Sequence, residues 1–242
     1  MFKSNPLKKL IRGYFKFKTQ YYQQSFLAEL MRTLAKEGQN PKVMIIGCCD
    51  SRVDPNILFN CTPGQLFTVR NVANLVPPCD PSPHQHSTSS ALEFAVQSLQ
   101  VEHIVILGHS QCGGIRALLN TSDEVLSHGE EGGFIYNWMK IAKAAKEKTL
   151  TERKGKSQAT QARFCEEEAL KISLQNLKTF PWIAEKVATG ALTLHAWRFD
   201  LVTGNLQQFV EASDAFEDIT GNIDISTGAC DNKLSINKAF KK

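Results

Sequence analysis

The sequence of 242 residues has no apolar run long enough to cross a membrane, and little excess of either charge. Apolar runs such as Val43–Gly47 and Ile104–Gly108 have the length of strands, whereas a membrane-spanning helix needs about 20 apolar residues. The 28 Lys and Arg residues exceed the 24 Asp and Glu residues only slightly, which gives no reason to expect nucleic-acid binding. We therefore expect a globular protein with no membrane insertion and no nucleic-acid partner.

Acidic residues are absent before Glu29, while Lys and Arg recur throughout this first stretch. Because the basic residues interrupt every candidate apolar core, we expect no secretory signal. A basic, acid-poor, amphipathic start is typical of a transit peptide or a membrane-surface helix. We favour a third interpretation, in which residues 1–38 form a helical arm that docks on a partner subunit through Leu7, Leu10, Ile11 and Phe15.

The chain has seven cysteines, an odd number that cannot all pair with one another. An odd number without a signal peptide argues against a secreted disulfide framework and favours a reducing compartment, so we expect a cytoplasmic location. Five of the seven are interpreted as structural: Cys49, Cys61, Cys79, Cys165 and Cys230.

Strands alternate with helices along the chain, which predicts an α/β fold with one domain over residues 1–242. We expect a mostly parallel central β-sheet flanked by helices, an N-terminal helical arm and a C-terminal antiparallel edge strand. Residues 39–120 would form the core that carries the site, and residues 121–242 the remaining helices and the C-terminal strands. The predicted strands are Lys42–Gly47, Leu66–Val69, His103–Gly108, Leu192–Phe199 and Leu206–Val210, the last two joined by a turn at 203–205.

The helices are predicted from apolar periodicity and from capping signals. A capping box, Ser90-x-x-Glu93, is expected to open one helix, and Gly113 to begin another. The other predicted helices are Gln24–Ala35, Phe134–Lys148 and Gln161–Lys178, and the predicted loops are Leu75–Ser87 and Thr121–Gly133.

Two polar clusters follow the two most apolar predicted strands. Cys48-Cys49-Asp50-Ser51-Arg52 comes directly after the first, and His109-Ser110-Gln111-Cys112-Gly113-Gly114 directly after the second. Parallel sheets bind ligands beyond the carboxyl ends of adjacent strands, so we expect both clusters to face one crevice. If the chain stays extended past Cys48, then Cys48, Asp50 and Arg52 lie on one side and Cys49 on the other.

The cysteines and the histidine of these clusters form a ligand set for zinc. Cys48, His109 and Cys112 offer two thiolates and one imidazole, and three protein ligands with one open position are typical of a catalytic zinc. Arg52 would hold Asp50 in a bidentate pair that keeps the carboxylate ionised and aimed. Because two thiolates cancel the charge of the ion, we expect bound water to be less acidic than in an all-imidazole site, and activity to rise above neutral pH.

Each motif alone has an ordinary structural explanation. A single His-x-x-Cys is more often core packing, and Asp-x-Arg is usually a surface ion pair of small energy. Their joint occurrence after two matching strands argues against that explanation here. We interpret His84 and His86 as solvated loop residues rather than as a second metal site or a proton shuttle.

At these residues the chain resembles the β-class carbonic anhydrases, whose pattern is Cys-x-Asp-x-Arg followed by His-x-x-Cys. The segments PGQLFTVRNVANLVPP (63–78) and ALEFAV (91–96) are also similar. The resemblance implies reversible hydration of CO2 to bicarbonate and a proton by zinc-bound hydroxide. It implies one Zn2+ per subunit on Cys48, His109 and Cys112, with Asp50 and Arg52 as the orienting dyad.

The resemblance also implies obligate homodimers with substrate pockets at the subunit interface, assembled further in some members into tetramers or octamers. By position, Gln39 would hydrogen-bond bicarbonate, and Phe67 and Val72 would line the CO2 pocket. Apart from the resemblance, the N–H groups of Gly113 and Gly114 at a helix start suit a bound anion. Phe94 would also line the pocket, where plant-type members have Tyr, so a hydroxyl is missing there.

Some bacterial members close the site by letting the aspartate ligate zinc, under control of a second bicarbonate held by Trp, Arg and Tyr. The matching positions here are Ile45, Arg70 and Phe199. Two of the three are replaced, so we expect the open, plant-like form, although Gly47 resembles the switched group.

Four alternatives use the same residues or a similar site. A carbonyl sulfide or carbon disulfide hydrolase would need the same zinc and dyad, and measured turnover of each substrate would distinguish it. A structural or zinc-sensing module has no need of Asp50 and Arg52. An alcohol-dehydrogenase-like site is disfavoured because no G-x-G-x-x-G follows a strand, and the H-x-E…P-C-x-x-C pattern of zinc deaminases is absent.

Overall fold

The computed structural model describes residues 5–23, 25–82, 86–122, 125 and 133–220. Its strands are β1 (Val43–Cys48), β2 (Leu66–Asn71), β3 (His103–His109), β4 (Thr193–Phe199), β5 (Leu206–Val210) and β6 (Ala215–Asp218). Its helices are α1 (Pro6–Tyr22), α2 (Ser25–Glu37), α3 (Pro55–Leu58), α4 (Ser87–Glu93), α5 (Gly113–Asn120), α6 (Gly133–Met139), α7 (Lys143–Glu152), α8 (Gln158–Leu177) and α9 (Pro181–Ala188).

One six-stranded sheet organises the fold, in the order β2-β1-β3-β4-β5-β6. The first four strands are parallel, and β5 and β6 are added antiparallel. The central strands β1 and β3 are almost entirely buried, as their continuous apolar sequences predict for strands covered on both faces. The predicted fold class is confirmed, and the hairpin that follows β4 is extended by β6, which was not predicted.

Helix α8 packs directly on β3. Its predicted apolar stripe of Leu170, Leu174 and Leu177 is buried, and burial of each such side chain contributes about 1.5–3 kcal/mol. The approach is close because Gly108 lacks a side chain: a Cβ there would lie 2.8 Å from Leu170 Cδ1. This contact sets how near α8 comes to the carboxyl end of β3.

Some local predictions are wrong. Helix α4 begins at Ser87, after His86 as the N-cap residue, so Ser90 does not open it; the Ser90 hydroxyl instead donates to the His86 carbonyl oxygen at 2.9 Å. A π-helical turn over Phe94–Ser98 continues the helix.

The predicted helix Phe134–Lys148 is divided into α6, a 3-10 turn at Lys140–Ala142 and α7. The predicted loop Thr121–Gly133 falls largely outside the described residues.

The N-terminal arm consists of α1 and α2, as predicted. None of the residues of α1 is buried, and Leu7, Leu10, Ile11 and Phe15 are each more than half exposed. The apolar side of α1 is therefore uncovered in a single chain. Across the described part of the chain, we find no helix with the length and apolar character of a membrane span.

Candidate metal centre

The two predicted clusters meet at the carboxyl edge of the sheet. Cys48 is the last residue of β1 and His109 the last residue of the adjacent parallel strand β3, with Cys112 one turn further on. All three side chains are buried, and their ligand atoms lie within 4.8 Å of one another. Sequence reasoning thus identified three residues that the fold brings together.

The His109 ring is oriented by the main chain. Its Nδ1 donates to the Ser110 carbonyl oxygen at 2.9 Å, which leaves Nε2 as the ligand atom. This Nε2 is buried and has no hydrogen-bond partner among the described residues. The Ser110 loop is itself anchored to β4, since Ser110 N–H donates to the Phe199 carbonyl oxygen at 2.9 Å.

Hydrogen bonding between the two cysteines shifts their pKa values in opposite directions. A hydrogen bond from the Cys112 thiol, together with the nearby His109 ring, lowers the pKa of Cys48, although burial opposes the shift. The same hydrogen bond and burial raise the pKa of Cys112. A cation that binds here would displace the thiol proton of Cys112, because thiolates are the ligating form.

The donor set fits zinc. Two sulfurs and one imidazole nitrogen suit a tetrahedral ion that accepts soft and borderline ligands, and the unpartnered Nε2 of His109 is a buried polar atom that such an ion would satisfy. Among the described residues, this is the single group of three or more His, Cys, Asp or Glu side chains placed to hold a metal.

Asp50 and Arg52 form the predicted bidentate pair. Arg52 Nε donates to Asp50 Oδ1 at 2.9 Å, and Nη2 donates to Oδ2 at 2.6 Å. These hydrogen bonds hold the pKa of the Asp50 carboxyl well below its usual range. Arg52 Nη2 also donates to the Gln111 carbonyl oxygen at 3.2 Å, which links the two polar loops. Asp50 Oδ2 lies 4.0 Å from His109 Nε2, so the carboxylate is directed at the metal ligands.

The chain does not stay extended past Cys48, which corrects one expectation. β1 ends at Cys48, and a turn closes with a hydrogen bond from Val53 N–H to the Asp50 carbonyl oxygen at 3.2 Å. Cys49 is exposed rather than packed as a structural cysteine. Cys165 is buried, Cys61 and Cys79 are half-buried, and Cys230 lies outside the described residues.

Arg70 holds the first polar loop, a role that the sequence did not reveal. Its Nε donates to the Cys48 carbonyl oxygen at 2.9 Å and its Nη2 to the Asp50 carbonyl oxygen at 2.7 Å. The third donor, Nη1, pairs with Asp54 Oδ2 at 2.6 Å. Arg70 therefore fixes the main chain on both sides of Cys49.

Glu166 holds the second polar loop and was also missed. Its Oε1 accepts from Cys112 N–H at 3.1 Å, and its Oε2 pairs with Arg198 at 3.2 Å. Burial raises the pKa of Glu166, while Arg198 and the Cys112 N–H oppose the rise. A signal for this residue exists in the sequence, because Glu166 precedes Leu170 by one turn on the apolar stripe of α8, where a carboxylate is out of place.

The predicted substrate residues are not all close to the metal ligands. Val72 follows β2 at the metal edge, where a Cβ on Gly114 would lie 3.0 Å from Val72 Cγ1, and Gly113 begins α5 beside Cys112. Phe67, however, pairs with Met44, four residues or about 13 Å along β1 from Cys48.

Of the two remaining predicted substrate residues, one contacts Phe67. The Phe94 ring is 5.9 Å from that of Phe67 and half-exposed, and the exposed Gln39 precedes β1. A single chain thus separates the predicted substrate residues into two groups. Of the two loop histidines, His86 approaches Ser82 Oγ at 3.5 Å, and His84 lies outside the described residues.

Comparison with known proteins gives one consistent result. A protein-family model described as carbonic anhydrase matches residues 43–206, more than half of the chain. Beta carbonic anhydrase 5, chloroplastic, of Arabidopsis thaliana is 42% identical over 186 residues, covering 77% of this chain and 59% of the relative. Beta carbonic anhydrase 6, mitochondrial, of the same plant is 41% identical over 201 residues, covering 83% and 67%. The chain thus spans less than two thirds of the length of the first of these relatives.

Solved structures agree with the fold. The beta-carbonic anhydrase CcaA superposes with a TM-score of 0.79 at 28% identity, covering 88% of this chain and all of that chain. A structure from a study of two tetrameric beta-carbonic anhydrases of the filamentous ascomycete Sordaria macrospora gives 0.73 at 26% identity, covering 85% and 97%.

Proposed function

Because this chain belongs to the carbonic anhydrase family, we propose that it catalyses the reversible hydration of CO2 to bicarbonate and a proton. The observation that carries the proposal is the buried group of Cys48, His109 and Cys112 with an ionised carboxylate, that of Asp50, directed at it. These three residues would hold one zinc ion per subunit, and the ion would supply Lewis-acid activation of a water molecule.

Asp50 orients the reacting water in this mechanism. Its carboxylate stays ionised at working pH because Arg52 hydrogen-bonds both oxygens, so it accepts a hydrogen bond and does not donate one. A water that donates one hydrogen to Asp50 directs a lone pair of its oxygen at the carbon of CO2. The new carbon–oxygen bond forms as one π pair of CO2 moves onto oxygen, and the proton leaves to solvent.

Arg52 acts on the carboxylate. Its two hydrogen bonds to Asp50 and its third to the Gln111 carbonyl oxygen restrict rotation of the dyad. Such preorganisation reduces the rearrangement needed when charge develops on the substrate oxygens. The N–H groups at the start of α5, at Gly113, suit an anionic product.

The substrate pocket in this proposal is completed by a second copy of the chain. Gln39, Phe67 and Phe94 of one copy would face the metal centre of the other, together with its Val72. The separation of Phe67 from Cys48 within one chain supports this arrangement, as do the half-exposed Phe94 ring and the uncovered apolar side of α1. We propose a homodimer that assembles further into tetramers or octamers, located in the cytoplasm; the six described cysteines, all free thiols, accord with a reducing compartment.

We further propose the open form of the site, in which Asp50 does not ligate the metal. Arg70, the retained member of the expected second bicarbonate site, has its donors directed at Cys48, Asp50 and Asp54. Ile45 is buried in the sheet and offers no hydrogen bond to an anion. Titration with bicarbonate should therefore give no sigmoidal inhibition; sigmoidal inhibition with Asp50 on the metal in a crystal would overturn this part of the proposal.

The decisive experiment is stopped-flow CO2 hydration by the zinc-loaded protein and by Asp50→Asn. The parent should turn over CO2 at a rate that rises from neutral pH to above pH 8 and disappears on metal removal. Asp50→Asn should retain zinc and lose activity about 100-fold or more, because the amide presents a donor where the water needs an acceptor.

Asp214→Asn serves as the matched control, since Asp214 is an exposed, ion-paired aspartate on the loop before β6. Full activity in Asp50→Asn would remove the dyad from the mechanism. A zinc-loaded parent that hydrolyses carbonyl sulfide or carbon disulfide but does not hydrate CO2 would overturn the proposed substrate.

A further inference from the structure

We propose that Glu166 is a positioning residue of the metal centre: with Arg198 it clamps the main chain at Cys112 and so sets how tightly and in what geometry the metal is held. The inference rests on the proposed metal site and assigns a role to residues outside its ligands and dyad. Glu166 and Arg198 are both buried, and a carboxylate and a guanidinium are costly to desolvate.

The first contact of Glu166 is with the backbone of a ligand. Its Oε1 accepts from Cys112 N–H at 3.1 Å, and Cys112 is the N-cap residue of α5. The carboxylate thus fixes the peptide that orients the Cys112 thiol. Glu166 is 5% exposed, so water does not compete for this hydrogen bond.

The second contact holds the carboxylate in place. Arg198 on β4 is 2% exposed and pairs with Glu166 Oε2 at 3.2 Å. Arg198 Nη1 lies 3.3 Å from Gln207 Oε1 and 3.5 Å from Asp200 Oδ2. The guanidinium is therefore anchored to β4 and to the hairpin that follows it.

The fold also fixes the distance between α8 and the metal loop. Leu170, one turn beyond Glu166, fills the space that a side chain at Gly108 would occupy, and Gly108 is four residues before Cys112. The contact between Leu170 and Gly108 therefore brings Glu166 to the level of the Cys112 N–H.

A purely structural ion pair would not require this arrangement. Buried pairs contribute little net stability compared with apolar side chains of similar size. Here each carboxylate oxygen has a separate function, one on Arg198 and one on the ligand backbone. Outer-shell partners of this kind typically change metal affinity or activity about 10–100-fold when removed.

Two variants of Glu166 separate the clamp from its charge. Glu166→Ala leaves Cys112 N–H without an acceptor. Glu166→Gln places an amide N–H group against another donor, either Cys112 N–H or the Arg198 guanidinium. The double variant Glu166→Gln/Arg198→Met removes the competing donor, so the amide oxygen is free to accept from Cys112 N–H. The clamp then predicts loss in both single variants and recovery in the double variant.

The matched control is Glu168→Ala. Glu168 lies on the same helix, is buried, and pairs with Lys148 and Lys171. Its contacts are with these lysines and not with the metal ligands, so its loss should lower folding stability without changing how the metal is held.

The experiment uses the full-length protein and two readouts. Zinc affinity is measured by chelator competition, and ligand geometry by the absorption bands of the Co(II)-substituted protein. Glu166→Ala should bind zinc about 10–100-fold more weakly and show altered cobalt bands. Glu168→Ala should match the parent in both readouts, and the double variant should recover most of the affinity that Glu166→Gln loses.

Parent-like zinc affinity and cobalt bands in Glu166→Ala would overturn the proposal. Equal weakening in Glu166→Ala and Glu168→Ala would also overturn it, because general destabilisation would then be the cause. If Glu166→Ala does not fold, the comparison of Glu166→Gln with the double variant decides the outcome by itself. Failure of the proposed function would instead appear in the parent, as absence of zinc binding or of CO2 hydration.

Discussion

The two ends of the parallel sheet differ in how much of a site one chain supplies. At the carboxyl end, the metal ligands, the Asp50–Arg52 pair and the residues that hold both loops are all in place. Toward the amino end, Phe67 and Phe94 contact each other and are only partly covered, and Gln39 is exposed. The difference supports the proposal that the metal centre is built within one chain and that the substrate pocket is completed by a second copy.

The largest effect should come from removing a metal ligand at the carboxyl end. His109→Ala or Cys48→Ser leaves two ligands, so zinc should be lost on purification and CO2 hydration should fall to the uncatalysed rate. Metal content and stopped-flow turnover measure this, with Cys49→Ser as the control because that neighbouring thiol is exposed. Retention of zinc in both ligand variants would disprove the assignment of the site.

An intermediate effect should come from combining lesions at the two ends. Gln39→Ala should lower activity about 10-fold through a lost hydrogen bond to an anion, and Asp50→Asn should lower it further. Coexpressed with different tags and purified through both, hybrid dimers should be several-fold more active than either homodimer. The reason is that a two-fold axis puts both lesions in one pocket and leaves the other intact.

That experiment also tests the comparison itself. If each pocket were built within a single chain, the hybrid would contain no intact pocket, and its activity would equal the mean of the two homodimers.

The smallest effect concerns the amino half of the sheet, away from the metal. Burial, with a contribution from His103 at 3.3 Å, lowers the pKa of His195 to about 4. The unfolded chain therefore binds a proton between about pH 6.5 and pH 4 that the folded chain excludes, so this part of the stability is present above pH 6.5 and lost as the pH falls.

Replacing His195 should reveal this contribution to the free energy of unfolding. Between pH 7 and pH 5 the parent should lose about 2 kcal/mol of unfolding free energy through His195. In urea unfolding of the metal-free protein, His195→Met should show a smaller loss. An equal loss of unfolding free energy in parent and variant would show that His195 does not titrate in this way.

The features predicted correctly from sequence are those that short segments determine. The apolar runs of β1 and β3 predicted adjacent buried strands, and the polar residues directly after them predicted the group of Cys48, His109 and Cys112 and the ion pair of Asp50 with Arg52. Ser90 misled because its hydroxyl bonds within the helix rather than capping it. The expectation that the chain stays extended past Cys48 was wrong because Arg70, 22 residues from Cys48, holds the loop in a turn. It does so by donating to the carbonyl oxygens of Cys48 and Asp50.

The features that the sequence did not predict depend on distant partners. Glu166 meets Cys112 across 54 residues, and only its position on an apolar stripe marked it as unusual. The roles proposed for Gln39, Phe67 and Phe94 rest on the family resemblance, because nothing in their local sequence indicates which metal centre they would face.

The contact between Gly108 and Leu170 has a consequence for how this protein can vary over evolutionary time. Leu170 is almost fully buried, so it has no room to retreat from an added methyl group on the neighbouring strand. A mutation of Gly108 would push the helix outward and carry Glu166 with it, whereas a smaller residue at 170 would let both remain. The two positions should therefore vary together, and a substitution of Gly108 alone should shift Glu166 and, through it, the backbone of Cys112.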